Sequence, residues 1–258
     1  MGIVSFYVVL AGTIGAALGI LLQTLGSAAF SRFKIHDTKE LASLAGLRIS
    51  AIFAIAAGLI FSSSHTHYVQ AKADLLEETR LIGTMYVLAS DAPDFPNSRD
   101  IRTKLLEYAN IMATNLDRPE AADRSAETAN KLLLRICRLA APDDLKKIAG
   151  MIWLRGELES SCSKLIELRG RKRIWMTTSN VEAPFWIFYC ISFGFLSFLL
   201  GVFEENLLNR FFVALFYFAA GATAILIYWM ADPYHGPSRI SSTPLIQLVT
   251  KMQELGKE

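Results

Sequence analysis

The sequence predicts an all-α integral membrane protein with four transmembrane helices and a helical bundle inserted between the second and third. Three observations carry this expectation. Four long apolar stretches are nearly free of charge. The polar block between the second and third repeats its apolar residues at helical intervals of three and four. No segment shows the alternation of apolar and polar residues that a half-buried strand needs.

Composition agrees. Of 258 residues, 52% are hydrophobic and only 19% charged, and the charges concentrate in the centre of the chain. The mean hydropathy is +0.34. A formal net charge of +2 offers no basic excess of the kind nucleic acid recognition requires, so no nucleic-acid partner is expected. Cys137, Cys162 and Cys190 include no C-x-x-C pair, and the four histidines are not at metal spacing. A disulfide scaffold, a structural metal and a cofactor are therefore not expected. Cys190, in an apolar stretch, reads as a small packing residue.

A bilayer core takes about 20 apolar residues in a helix. The first candidate span is Ile3 to Phe30, without a formal charge or a preceding basic cluster, which argues against a cleaved signal peptide. The second is Leu41 to Ser64, carrying Arg48; the third is Ala183 to Phe203; the fourth is Phe211 to Ala231. Tyr68, Trp186, Tyr228 and Trp229 stand near span ends, where aromatic rings favour the headgroup level. The domain organisation predicted is 1–69 for spans one and two, 70–180 for the bundle, 181–232 for spans three and four, and 233–258 for a turn and a short amphipathic helix. Four spans put both termini and the bundle on one side of a plasma (inner) membrane, if the chain is bacterial. Ser31–Glu40 and Glu204–Arg210 then lie on the other. Cations oppose each other as topology signals: Arg32, Lys34 and Lys39 favour the first short loop inside, whereas Arg169 to Arg173, RGRKR, favours the bundle inside.

The spans carry rows of small residues: Ala11, Gly15 and Gly19; then Gly46, Ser50, Ala54, Gly58 and Ser62; then Cys190, Gly194, Ser197 and Gly201. Such rows let helix backbones approach in lipid, so Gly15, Gly19, Gly194 and Gly201 are candidate helix-packing positions. The second row has another reading, as the face of a helix that lines a pore about a symmetry axis.

In the central block, apolar stripes run through Leu75, Thr79, Ile82, Tyr86 and Ala89; through Ile101, Leu105, Tyr108, Met112 and Asn115; and through Ala126, Ala129, Leu133, Ile136 and Ala140. A fourth, from Leu145 to Leu168, takes in Ile148, Ile152, Leu158, Cys162 and Leu165. The breaks DAPDFPN, DRPE and APDD separate the helices, with Pro142 and Asp143 at the start of the last. The first of these helices can continue the second span without interruption. After Trp229, Pro233, Gly236 and Pro237 end the fourth span. Ser242 or Thr243 then caps a final helix, with Pro244 in its first turn.

Five pieces of sequence, in this order, resemble the bestrophin-like membrane domain family from about His36 to Leu248: HD at 36–37, AKADLLEETRL with Glu78 seven positions after Ala71, IRTKLLEYANIM with its central Tyr108, APFW at the third span, and DPYHGPSRISSTP after the fourth. Where the family often has glutamate-tryptophan-proline after the tyrosine helix, this chain has NLDRP, which puts any role of that piece in doubt. The resemblance implies kinship with bestrophins, pentameric anion channels with four spans per subunit. It therefore implies a homo-oligomer in a lipid bilayer that passes small anions. Calcium-responsive bestrophins follow the last span with a run of acidic residues. Here Asp232 stands alone, so a calcium clasp is not expected.

Arg48 either supplies positive potential in an anion pathway or snorkels from the interface. Ser50, Ala54, Gly58 and Ser62 are pore-lining candidates with Arg48. His65 and Glu78 are candidates for a pore mouth or gate; His65 and His67 are two apart and point to different helix faces, so they do not form a metal pair. Glu78 also reads as the partner of a cation on a neighbouring helix or as part of a charged ring in an oligomer; an exposed face explains Glu77 and Glu78 equally well, and RGRKR reads as a lipid-headgroup contact or a solvated helix end. The chain carries no phosphate-cradling glycine loop, nucleophile elbow or zinc-protease motif, so it is not read as an enzyme. The leading expectation is an ion channel; its competitor is a non-conducting membrane scaffold or sensor whose bundle binds a partner protein.

Overall fold

The computed structural model describes residues 2–32, 39–117, 122–141, 151–177, 183–202, 206–234 and 239–256. These residues form helices and turns, with no strand among them. The helices are α1 (Gly2–Arg32), α2 (Lys39–Asp91), α3 (Ser98–Asp117), α4 (Ala122–Ala140), α5 (Ile152–Thr177), α6 (Ala183–Leu200), α7 (Leu207–Ala231) and α8 (Thr243–Leu255). The second apolar segment and the first helix of the central block are one uninterrupted helix of 53 residues, α2, about 80 Å long at 1.5 Å per residue. Pro142 and Asp143, the DRPE break apart from Asp117, and the HD, Gly236 and Pro237 of the sequence reading lie outside the described residues.

Contacts divide the chain into two compact units: Met1–Tyr68 with Ser179–Ser238, and Val69–Thr178 with Arg239–Glu258. In the first unit, α1 packs on α7 and α6. Glycine makes that approach: a Cβ on Gly15 would strike the Tyr217 carbonyl, and one on Gly19 the Tyr217 ring. A Cβ on Gly201 would meet the backbone at Gly26 and Ser27. Gly194 differs, because a Cβ there meets nothing within 4 Å. Cys190 is likewise exposed and not packed inside the chain, whereas the row it heads winds inward along α6 to buried Ser197 and Gly201. Tyr217 is fully buried and its hydroxyl donates to the Phe193 carbonyl at 3.2 Å. Tyr189 donates to the Ala220 carbonyl at 2.5 Å, and its ring lies 4.8 Å from Phe53 of α2. Backbone carbonyls thus absorb the polar ends of buried tyrosines, as an apolar medium demands.

Outward, the same helices are greasy. Leu10, Ile14, Leu18, Leu21 and Leu25 on α1 are exposed, as are Ile52, Ile55 and Leu59 on α2 and Phe211, Phe212 and Leu215 on α7. Water would not tolerate that much contiguous apolar surface, whereas lipid does. Among the described residues, three helices are long and apolar enough to cross a membrane, within Val4–Arg32, Ser43–Asp91 and Leu207–Ala231; Phe185–Leu200 is apolar but shorter. The chain is an integral membrane protein.

In the second unit, α3 packs on α4 and α8, and α4 on α5. Buried apolar residues from every helix fill its interior, among them Leu75, Ile82 and Met85 of α2, Ile101, Leu105 and Met112 of α3, Leu133 and Ile136 of α4, and Leu158 and Leu165 of α5. Two stripes expected from the sequence shift. On α2 the buried position is Glu78, with Thr79 only half-covered. On α5 Ile152 is 62% exposed, because it is the first residue of its helix and precedes the buried face that begins at Leu154. Between α2 and α3, Asn97 takes a left-handed φ of 64°, a conformation asparagine tolerates, and Phe95 is tucked under the turn. Ser242 stands at the N-cap of α8 but makes no side-chain capping bond; Pro244 in the first turn presets the helix instead. Leu245, Val249 and Met252 are the buried face of α8, and the Tyr86 hydroxyl of α2 donates to the Met252 carbonyl at 2.7 Å.

Candidate functional site

Two sets of residues stand out, one in each unit. The first is the row on α2. Its neighbours Phe53, Ala57 and Ser64 are buried, so they mark the covered side of the helix. Ser50 is half-buried, and its hydroxyl donates to the Leu47 carbonyl at 2.9 Å. Ala54, Gly58 and Ser62 are exposed, and a Cβ on Gly58 would meet nothing within 4 Å. Each step of four residues advances about 40° around an α-helix. The row therefore starts beside the covered side at Ser50 and winds into the open at Ser62. Arg48 is exposed. His65 is exposed and stacks on Phe61, with ring centroids 6.4 Å apart and nearly parallel planes.

The second set is a buried charged cluster in the bundle. Asp74 and Glu78 lie one turn apart on α2 and are 8% and 3% exposed. The Tyr108 hydroxyl of α3, fully buried, donates to Glu78 Oε1 at 2.7 Å. Arg169 of α5 covers the Tyr108 ring with its guanidinium carbon 5.8 Å from the centroid. The same guanidinium donates to Asn130 Oδ1 of α4 at 3.1 and 3.2 Å and rests on Met112 Sδ. Arg171 approaches Asp74 at 3.5 Å, and Gln70 donates to Asp74 Oδ1 at 3.0 Å. Lys172 lies within the electrostatic reach of Glu78.

The electrostatics follow from burial. Desolvation first, then the neighbouring Glu78 carboxylate, pushes the Tyr108 hydroxyl well above its ordinary value. Desolvation lowers the Lys172 amine, and Glu78 only partly offsets that. Three cations, Arg169, Arg171 and Lys172, thus accompany two carboxylates, so RGRKR is not simply a solvated helix end. Glu78 does not sit on an exposed face either. Glu77 does, paired with Arg80 at 2.7 Å on the surface.

Sequence reasoning named Glu78 and Tyr108, read Arg169 and Lys172 only as part of the RGRKR run, and missed Asp74 and Asn130. The available signal was two acids at i, i+4 on an otherwise apolar stripe, Asp74 and Glu78, which hydropathy averaging hides. Among the described residues no three His, Cys, Asp or Glu side chains converge as a metal would need.

The arrangement of helices has known counterparts. The profile of the Bestrophin-like domain matches residues 13–245. The chain belongs to the Bestrophin-like family. A crystal structure of a bacterial Bestrophin homolog from Klebsiella pneumoniae shares its fold, with a TM-score of 0.69 at 17% identity, over 95% of this chain and 98% of that one. A mutated form of a bacterial Bestrophin homolog from the same organism gives a TM-score of 0.74 at 15% identity over the same shares. No curated protein matches the chain. At such identities the likeness of this Bestrophin-like chain to these structures is one of fold.

Proposed function

We propose that this Bestrophin-like protein is the subunit of a homo-oligomeric ion channel, with four spans and with the membrane-spanning part of α2 lining the path. The observation that carries the reading is the open row on α2. Ala54, Gly58 and Ser62 are small and exposed within an apolar span, while the other side of the helix is packed through Phe53 and Ala57. Small and hydroxyl side chains around a symmetry axis form a narrow path without filling it. The 40° drift of the row keeps it toward one axis when α2 is tilted against that axis. Arg48 stands near one mouth and favours anions, in line with the bestrophin resemblance, which also suggests a pentamer. His65 is the candidate for the mouth nearer the bundle. The bundle, residues 70–180, stands outside the bilayer on this reading.

Purified protein in liposomes tests it. Chloride or another small ion should pass, and Gly58→Trp should stop the flux while leaving the apparent Tm within a few degrees. Absence of flux for several ions across several pH values, or a monomeric mass in mild detergent, overturns the proposal.

A further inference from the structure

Cys137 on α4 is half-buried and Cys162 on α5 is buried, and both are free thiols. Their position follows from the register of the two helices. Arg169 of α5 binds Asn130 of α4 through two hydrogen bonds to Oδ1. Seven residues onward from Asn130 is Cys137; seven residues back from Arg169 is Cys162. Seven residues are close to two helical turns and return to the same face within about 20°. An antiparallel pair locked at Asn130–Arg169 therefore brings the two cysteines opposite each other, and their side chains are indeed hydrogen-bonded. Cys190 is remote in kind: it is exposed on α6, in the other unit.

We propose that Cys137 and Cys162 are a redox-active dithiol that closes reversibly to an intrachain disulfide when a hydroperoxide reaches Cys137. Cys137 is the attacking sulfur because it is the more exposed of the two. The hydrogen bond from Cys162 also favours its thiolate, while that same bond and burial keep the proton on Cys162. The Cys137 thiolate attacks one peroxide oxygen, the O–O bond breaks, and the departing hydroxide takes a proton to become water. Cys137 is then a sulfenic acid. Cys162 attacks that sulfur; the S–O bond breaks, and the hydroxyl leaves as a second water with the Cys162 proton. Two thiols and one hydrogen peroxide become one disulfide and two waters, two electrons passing from sulfur to oxygen. A thiol reductant reverses the bond by exchange. The disulfide would tie α4 to α5 two turns from Arg169. Cys137 also lies within electrostatic reach of Tyr108, so the oxidation would be felt at the charged cluster. This inference does not depend on whether the protein conducts.

The test uses the full chain in detergent micelles. After treatment with hydrogen peroxide, the protein is denatured, its remaining thiols are alkylated with N-ethylmaleimide, and its peptides are read by mass spectrometry. The expected result is a linked Cys137–Cys162 peptide that disappears with dithiothreitol and persists in Cys190→Ser. In Cys162→Ser, dimedone should trap Cys137 as a sulfenic acid. Two thiols that stay alkylatable after peroxide overturn the proposal. So does oxidation of Cys137 to sulfinic acid without a linked peptide in the wild-type chain, or its linkage to Cys190 or to a second copy.

Discussion

The Tyr108 hydroxyl donates a 2.7 Å hydrogen bond to Glu78 Oε1 across α3 and α2, with both side chains removed from water. Breaking one side of such a bond leaves the other buried and unsatisfied. Tyr108→Phe should cost about 1–3 kcal/mol, read as a fall of several degrees in the apparent Tm of the detergent-solubilised protein. Tyr108→Phe combined with Glu78→Gln should cost less than the sum of the single changes, as expected of residues in contact. Strict additivity would dismiss the bond as a source of stability.

A pH dependence comes with the same pair. Tyr108 has its folded pKa raised above an unfolded value of about 10. Its contribution is fully present below about pH 10 and is lost as pH climbs from there through the folded value. Lys172 has the opposite history: its folded pKa is lowered, so the penalty of burying its charge is relieved as pH rises toward the ordinary lysine value. Apparent Tm measured from pH 8 to 11 should hold or rise slightly and then fall above about 10, and Tyr108→Phe should flatten that fall. Parallel alkaline losses in both proteins would rule Tyr108 out as its source.

Glycines on α1, α2 and α6 should behave in two classes. A Cβ on Gly15 would run into the Tyr217 carbonyl, with the Gly221 Cα also 3.3 Å away. Gly15→Ala should destabilise by about 1–3 kcal/mol through overpacking. Gly194→Ala and Gly58→Ala meet open space within the chain and should change stability by no more than about 0.5–1 kcal/mol. Thermal aggregation in detergent separates the classes; equal losses at Gly15 and Gly194 would contradict the packing of α1 on α7.

Docking of α8 depends on Tyr86. Its hydroxyl satisfies the Met252 carbonyl, beside the buried Leu245 and Val249. Tyr86→Phe should cost about 0.5–1.5 kcal/mol. It should also speed deuterium exchange within Thr243–Leu255 while leaving α4 unchanged. Unaltered exchange in α8 would show that apolar contact alone holds that helix.

How much of this could be read in advance differs from element to element. The apolar helices, the run-on of α2 and the start of α8 just before Pro244 follow from local composition, and the helices lie close to where periodicity puts them. Glu78 is the instructive case: the sequence marks it as a candidate but does not show what binds it. A carboxylate inside an apolar stripe looks like a solvated residue until a tyrosine from 30 positions away is seen to bind it. Ile152 errs the other way, because a stripe drawn by fours cannot tell where the covered face begins. Of the α2 row, sequence spacing identified the small residues, but only exposure distinguishes half-covered Ser50 from open Gly58.

Sequence alone determined that this chain is helical, membrane-embedded and Bestrophin-like in its order of motifs, because apolar length, helical period and turn residues are properties of neighbours along the chain. Tertiary structure decided which glycines meet a backbone, that two buried acids are met by three half-covered cations of α5, and that Cys137 faces Cys162. Those pairings depend on the rotation and register of one helix against another, and the Asn130–Arg169 contact sets that register through residues 39 positions apart.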